Sequence, residues 1–302
     1  MKKFNILSSF WLKIIALITM TIDHIGLLLE MTSDGDLKLL QLSEYFRMIG
    51  RLSLPLFIFM IVEGVIYTRS YKKYALRLSI FALAISIVYI VLEYSSLRRY
   101  AVSLLRSGNA FLDLLMCSIV IWALRQEDKR KLLLILLPLT LSIISFVVKG
   151  IETSTTIQIY WFPCFLTMRY DWFAIVLGVG FFYARTLADL YIKYTESKTG
   201  MDKDIWIMNN NYQILVNIIA TCSLVVSGFV YYACWYLWPN GAFINVRVAS
   251  IQLMAILSGA FLLLYSGKRG YNKAWFKYSC YLYYPLHIVI LVIIYVSLTG
   301  GL

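Results

Sequence analysis

The chain has 302 residues, of which 61% are hydrophobic, 16% aromatic and only 15% charged. Soluble chains are about a quarter charged, and a water-soluble domain of this length has no interior that could hide so much apolar surface. The net charge of +12 does not mark a nucleic-acid partner, because the basic residues cluster at the ends of apolar spans, as in loops that set membrane orientation.

In chain order, the roughly 20-residue apolar window that crosses a hydrocarbon core recurs about nine times. The spans run approximately over 8–30, 46–68, 74–94, 109–125, 130–149, 171–192, 212–237, 248–266 and 277–298. The first has a basic flank but is long enough to span and lacks a small-residue cleavage site, so it reads as a retained helix. The aromatic stretch Tyr160 to Phe165 is a candidate interfacial or re-entrant segment and would make ten passes. The polar stretch Lys193–Asn211 reads as a loop. The expected fold is an all-α integral membrane protein, a single polytopic bundle of about nine to ten transmembrane helices forming one domain over 1–302.

Lys and Arg are biased about two to one toward loops that are cytoplasmic if the N-terminus is inside, with Arg98, Arg99 and Arg106 running against the bias. Five scattered cysteines form neither a CxxC pair nor a metal-ligand spacing, so neither a disulfide framework nor a metal is expected. Trp161, Trp235, Tyr236 and Trp238 read as an interfacial belt. Gly64, Gly178, Gly180, Gly228 and Gly259 read as points of close helix packing, and such small-residue faces serve homo-oligomers equally well.

The chemistry-bearing residues gather in one layer. His24 and His287 are the only histidines, both embedded in apolar spans, where an ionisable group costs about 2.5–3.5 kcal/mol on insertion scales. Histidine titrates nearest neutrality, which suits it to proton transfer. Asp23 precedes His24, and adjacent residues on a helix diverge by about 100°. Either the helix is distorted there, helped by Gly26, or each faces a different neighbour, with Asp23 meeting Arg51 and His24 facing a cavity. Arg47 and Arg51 share a face of the second span, as Asn109 and Asp113 do of the fourth. Arg47 is placed either to snorkel or to pair. Asp113 is a partner for Arg51 or a site residue, and Asp171, Arg247 and Gln252 complete the layer. At the other end, Glu63 is followed by Arg69, Lys72, Lys73 and Arg77. This basic cluster is an orientation signal or a seat for a phosphorylated cytoplasmic ligand.

These residues resemble the TraX-type F-pilin acetylase family of polytopic membrane acetyltransferases. The resemblance rests on Asp23-His24, on Arg47-x-x-Gly50-Arg51 with Pro55, and on Glu63-Gly64. It continues in Tyr265-x-Gly267-x-Arg269-Gly270 and in Tyr284-Pro285-x-His287. It implies a protein of the bacterial cytoplasmic membrane that moves an acetyl group from acetyl-CoA, its co-substrate, to an extracytoplasmic glycan or protein acceptor. On that reading Arg47, Glu63, Arg69, Lys72, Lys73 and Arg269 contact the cofactor. His24 is a general base or an acyl relay, His287 a second acid/base, Arg51 an oxyanion partner, and Asp23 or Asp113 an orienting carboxylate. Asn109, Asp171 and Gln252 face the substrate. The partners expected are acetyl-CoA, the acceptor and membrane lipids. A transporter or flippase for an anionic or lipid-linked substrate is the alternative, weakened by the lack of an internal repeat.

Overall fold

The structure is a computed structural model, and it describes residues 6–94, 108–155, 159, 161–199, 211–238, 243–271 and 273–298. Among these residues the regular structure is helical throughout. The helices are α1 (Ser9–Met31), α2 (Leu37–Gly50), α3 (Ser53–Tyr67), α4 (Tyr71–Tyr94), α5 (Ala110–Leu124) and α6 (Leu136–Ser154). They continue with α7 (Asp171–Thr199), α8 (Asn211–Tyr236), α9 (Phe243–Leu253), α10 (Gly259–Leu263) and α11 (Ala274–Leu298). Seven helical stretches are long and apolar enough to cross a membrane, and Ala110–Leu124 and Ala249–Leu263 are shorter apolar helices at the fourth and eighth expected spans. The protein is an all-α polytopic membrane protein.

Two expectations change. The polar stretch after 193 is not loop from its start, because α7 continues as helix to Thr199; residues 200–210 lie outside the described residues. Among its described residues the aromatic stretch forms no helix long enough to span. Its described part holds only the 3-10 turn Cys164–Leu166, with Phe162 buried and Trp161 exposed. Arg98, Arg99 and Arg106 also lie outside the described residues.

The first hairpin sets the geometry of everything that follows. α1 is a continuous helix, so Asp23 and His24 do diverge to different neighbours. The chain reverses through Asp34 and Gly35, both at positive φ, and the Asp36 carboxylate then caps α2 by accepting the Lys38 N–H at 2.8 Å. α1 and α2 approach closely at two glycines. A Cβ on Gly26 would fall 2.9 Å from Phe46 Cβ, and one on Gly50 would fall 2.5 Å from Asp23 Oδ1. The Gly50 position therefore makes room for a carboxylate. After Gly50 the chain breaks at Arg51 and Leu52 before α3. Pro55 sits in the first turn of α3, where its missing N–H is tolerated but the helix cannot run through unbroken.

The core is one large apolar cluster running through most of the helices, with a smaller one around Met116, Val120 and Met168. Trp235 belongs inside it, buried against Phe146 and Tyr231. The expected belt is thus reduced to the exposed Trp161 and Tyr236, while the Trp238 ring packs on Gly150.

Candidate functional site

Asp23 lies at the centre of three guanidinium groups. Arg51 Nη2 is 3.1 Å from its Oδ1, and Arg47 Nη1 and Arg169 Nη2 are 3.3 and 3.5 Å from its Oδ2. Arg51 is held further by the Arg47 carbonyl at 3.3 Å and by Gln252 Oε1 at 3.4 Å. Arg47 thus pairs instead of snorkelling, although its side chain keeps 19% of its exposure.

Arg169 is absent from the layer read along the sequence. It reaches the site because the segment before α7 is pinned from several sides. Asp113 accepts the backbone N–H of Arg169 at 2.8 Å and of Tyr170 at 3.0 Å. Lys149 Nζ donates to the Arg169 carbonyl at 2.9 Å and to Asp171 at 2.5 Å. Gly108 lies against this turn at φ +80, where a Cβ would stand 2.8 Å from Arg169 N. Only glycine meets both demands. Asp113 is therefore not the partner of Arg51; it positions the backbone that carries Arg169. The side chain of Asn109 is likewise spent on the protein. It caps α5 through Phe111 N and Leu112 N and donates to the Ala82 carbonyl and Ser86 Oγ. Asp171 is fully buried and paired with Lys149. Arg247 pairs with Glu44 at the surface.

His24 faces away from the arginines toward α11. Its Nδ1 is 2.9 Å from the Met20 carbonyl and 3.2 Å from His287 Nε2, and His287 Nδ1 is 2.9 Å from the Tyr283 carbonyl. A carbonyl can only accept, so each Nδ1 carries the proton. His24 Nε2 is then the basic nitrogen, and His287 Nε2 shares the His24 Nδ1–H. His287 stands behind His24 and is not part of the cavity wall. Tyr284 packs edge-on against both imidazoles.

The wall on the open side of His24 belongs to a cavity of about 590 Å³. Asp23, His24, Arg169, Tyr170 and Tyr284 line its inner end; Lys13, Arg77, Arg269 and Tyr281 line the other. Lys13 and Asp23 are ten residues apart on α1, so the cavity is roughly 15 Å deep. Of the basic run after α3, Arg77 lines the cavity, whereas Arg69, Lys72 and Lys73 are exposed and stand off its wall.

Two further devices shape the mouth. The turn after α10 pairs with the chain leading into α1, through Ser9 N to Lys268 O at 2.8 Å and Phe10 N to Arg269 O at 3.2 Å. That pairing delivers Arg269 to the mouth. Glu63 is tied to Arg185 at 2.5 Å and accepts from the Tyr265 hydroxyl at 3.3 Å, and Tyr265 also meets Ser9 at 3.0 Å.

A stretch of 74 residues, 24% of this chain, is 45% identical to the "Probable fimbrial assembly protein FimC, serogroup H1" of Dichelobacter nodosus, and covers 28% of that protein. No solved structure matches the chain. The profile of the TraX protein family matches residues 8–295. Nearly the whole chain, including every residue of the layer around Asp23 and His24, therefore belongs to the TraX family.

Proposed function

We propose that the protein is an acetyltransferase of the bacterial cytoplasmic membrane. It moves an acetyl group from cytoplasmic acetyl-CoA to a hydroxyl or amine of an extracytoplasmic acceptor. The observation that carries this reading is the joining of a basic cavity mouth to an imidazole whose Nδ1 is tied back and whose Nε2 is left as base. Lys13, Arg77 and Arg269 suit the phosphates of CoA. The apolar wall between them and His24 suits the extended arm that carries the thioester. With the N-terminus cytoplasmic, as the Lys and Arg bias favours, this mouth faces the donor.

The chemistry follows from the inner end of the cavity. The acceptor oxygen or nitrogen attacks the thioester carbonyl carbon while His24 Nε2 takes its proton, a role worth about 10²–10⁴-fold. The charge that develops on the carbonyl oxygen is met by Arg169 in a water-poor site. Collapse breaks the C–S bond, and the imidazolium returns the proton to the CoA thiolate. In the relay form, Nε2 itself attacks the thioester and expels the CoA thiolate; the acceptor then attacks the acetyl group, freeing the imidazole, and its proton passes to the thiolate. His287 takes the part of holding the His24 tautomer, in place of serving as a second acid/base in contact with substrate. TraX membership and the fimbrial relative favour a pilus-type surface protein as acceptor, with a surface glycan as the other candidate.

The test is to incubate purified wild-type and His24→Ala protein with radiolabelled acetyl-CoA, without acceptor, following CoA release and label on the chain. CoA release that requires His24 is expected, and label retained on the wild type selects the relay. Near-normal release by a folded His24→Ala protein overturns the mechanism. No thermal stabilisation by acetyl-CoA and no release overturns the enzyme class and returns the cavity to transport.

A further inference from the structure

We propose that Arg47, Arg51 and Gln252 form a seat for an anionic group, a carboxylate or phosphate, carried by the acceptor. The inference rests on the acetyltransferase reading only in calling that ligand the acceptor. Three guanidinium groups converge on the single carboxylate of Asp23. The other acids nearby do not neutralise them. Asp113 spends both oxygens on backbone N–H groups, Asp171 is paired with Lys149, and Glu30 acts on Arg47 from the last turn of α1 but is itself exposed to solvent. With Asp113 counted in full and the exposed Glu30 screened by solvent, three cations face two carboxylates inside the protein. A buried charge without a partner is expensive, so the cluster is completed by an anion that is not part of the protein.

A second observation points to the same place. Gln252 is 4% exposed, and its Nε2 has no hydrogen-bond partner, although its Oε1 accepts from Arg51 at 3.4 Å. A buried amide donor beside an excess of guanidinium is a ready ligand for an oxyanion. The sides of the cluster also divide the labour. Asp23 and Arg169 line the donor cavity, whereas Arg47 and Gln252 do not. Arg47 keeps its partial exposure in the last turn of α2, where it packs against Gly26 of α1, on the side of Asp23 away from Lys13. A donor reaching His24 from the basic mouth and an anion held at Arg47 would therefore approach one layer from its two sides.

The experiment titrates the detergent-solubilised full chain with inorganic pyrophosphate and, separately, with glucuronate, each against sodium chloride at matched ionic strength, and reads thermal unfolding. At least one probe is expected to stabilise the wild type beyond the salt control. Protection by pyrophosphate alone assigns a phosphate-bearing acceptor, and protection by glucuronate an acidic one. Arg47→Gln should weaken that binding roughly tenfold or more, as loss of a charge-assisted hydrogen bond predicts. Lys72→Gln, which is exposed and off the cavity wall, should leave it unchanged. If Arg47→Gln does not fold, Gln252→Leu, which removes the unpaired amide, carries the same comparison. No protection by either probe, or protection lost in Arg77→Gln and kept in Arg47→Gln, overturns the proposal. Stabilisation by acetyl-CoA, read in parallel on Arg47→Gln, reports separately on the donor site, so failure of the one reading is distinguishable from failure of the other.

Discussion

His24 and His287 stand 263 residues apart in sequence, yet Nε2 of the second lies 3.2 Å from Nδ1 of the first. The contact ties the first helix to the last and fixes which nitrogen of His24 faces the cavity. Both Nδ1 protons are directed at backbone carbonyls, which in the proposed mechanism makes the pair a base and its support.

That division predicts unequal losses. His24→Ala should abolish CoA release. His287→Phe should lower kcat by about 10–100-fold with little change in KM, the usual scale for removing an orienting partner. Steady-state kinetics on the two variants check it; a loss for His287→Phe as complete as that for His24→Ala would return His287 to the reacting groups.

Asp23→Asn leaves three buried guanidinium groups without a carboxylate, and should destabilise the protein by about 3–5 kcal/mol. Adding Arg51→Gln should recover part of that loss, because the two residues are 3.1 Å apart and their effects should not add. Thermal unfolding of the two single variants and the double variant in detergent measures the coupling.

Gly50→Ala should separate α1 from α2, since the new methyl would fall on Asp23. Overpacking of this kind costs about 1–3 kcal/mol. The lowered melting temperature should come with a loss of transferase activity, because Asp23 and its three arginines move with the helix.

Asp113→Ala should act at a distance. It orphans the backbone N–H groups of Arg169 and Tyr170, at about 1–3 kcal/mol each, and releases Arg169 from the cavity. The expected result is a fall in kcat with acetyl-CoA affinity kept, read by kinetics and by thermal shift with acetyl-CoA.

At the cavity mouth, Arg77→Gln should raise the KM for acetyl-CoA while leaving kcat nearly unchanged, the pattern of lost uniform binding. Lys72→Gln and Lys73→Gln, which are exposed and off the wall, should change neither. Equal effects from all three would mean that a diffuse positive field holds the donor.

How much was legible in the sequence follows from the range over which each feature is encoded. A membrane span is a local property, an apolar run of sufficient length, so the helices and the layer of Asp23, His24, Arg47, Arg51 and His287 could be read along the chain. The divergence of Asp23 and His24 is one of two readings the helical repeat allows, and the continuous α1 selects it. Partners across the bundle were not legible along the chain. Arg169 is 146 residues from Asp23 and lies in an irregular segment with no period to mark it. Nor does spacing decide between Arg51 and the site as the place of Asp113, whose oxygens belong to a backbone turn. Arg69, Lys72 and Lys73 carry the same charge as Arg77, and only their burial separates a surface cluster from a cavity wall. By itself the sequence determined that the chain lives in lipid and which ionisable groups are placed there at a cost. The tertiary structure alone decided which of them meet, because helix packing, set by close approaches such as Gly50 on Asp23, chooses among partners that composition and spacing leave equivalent.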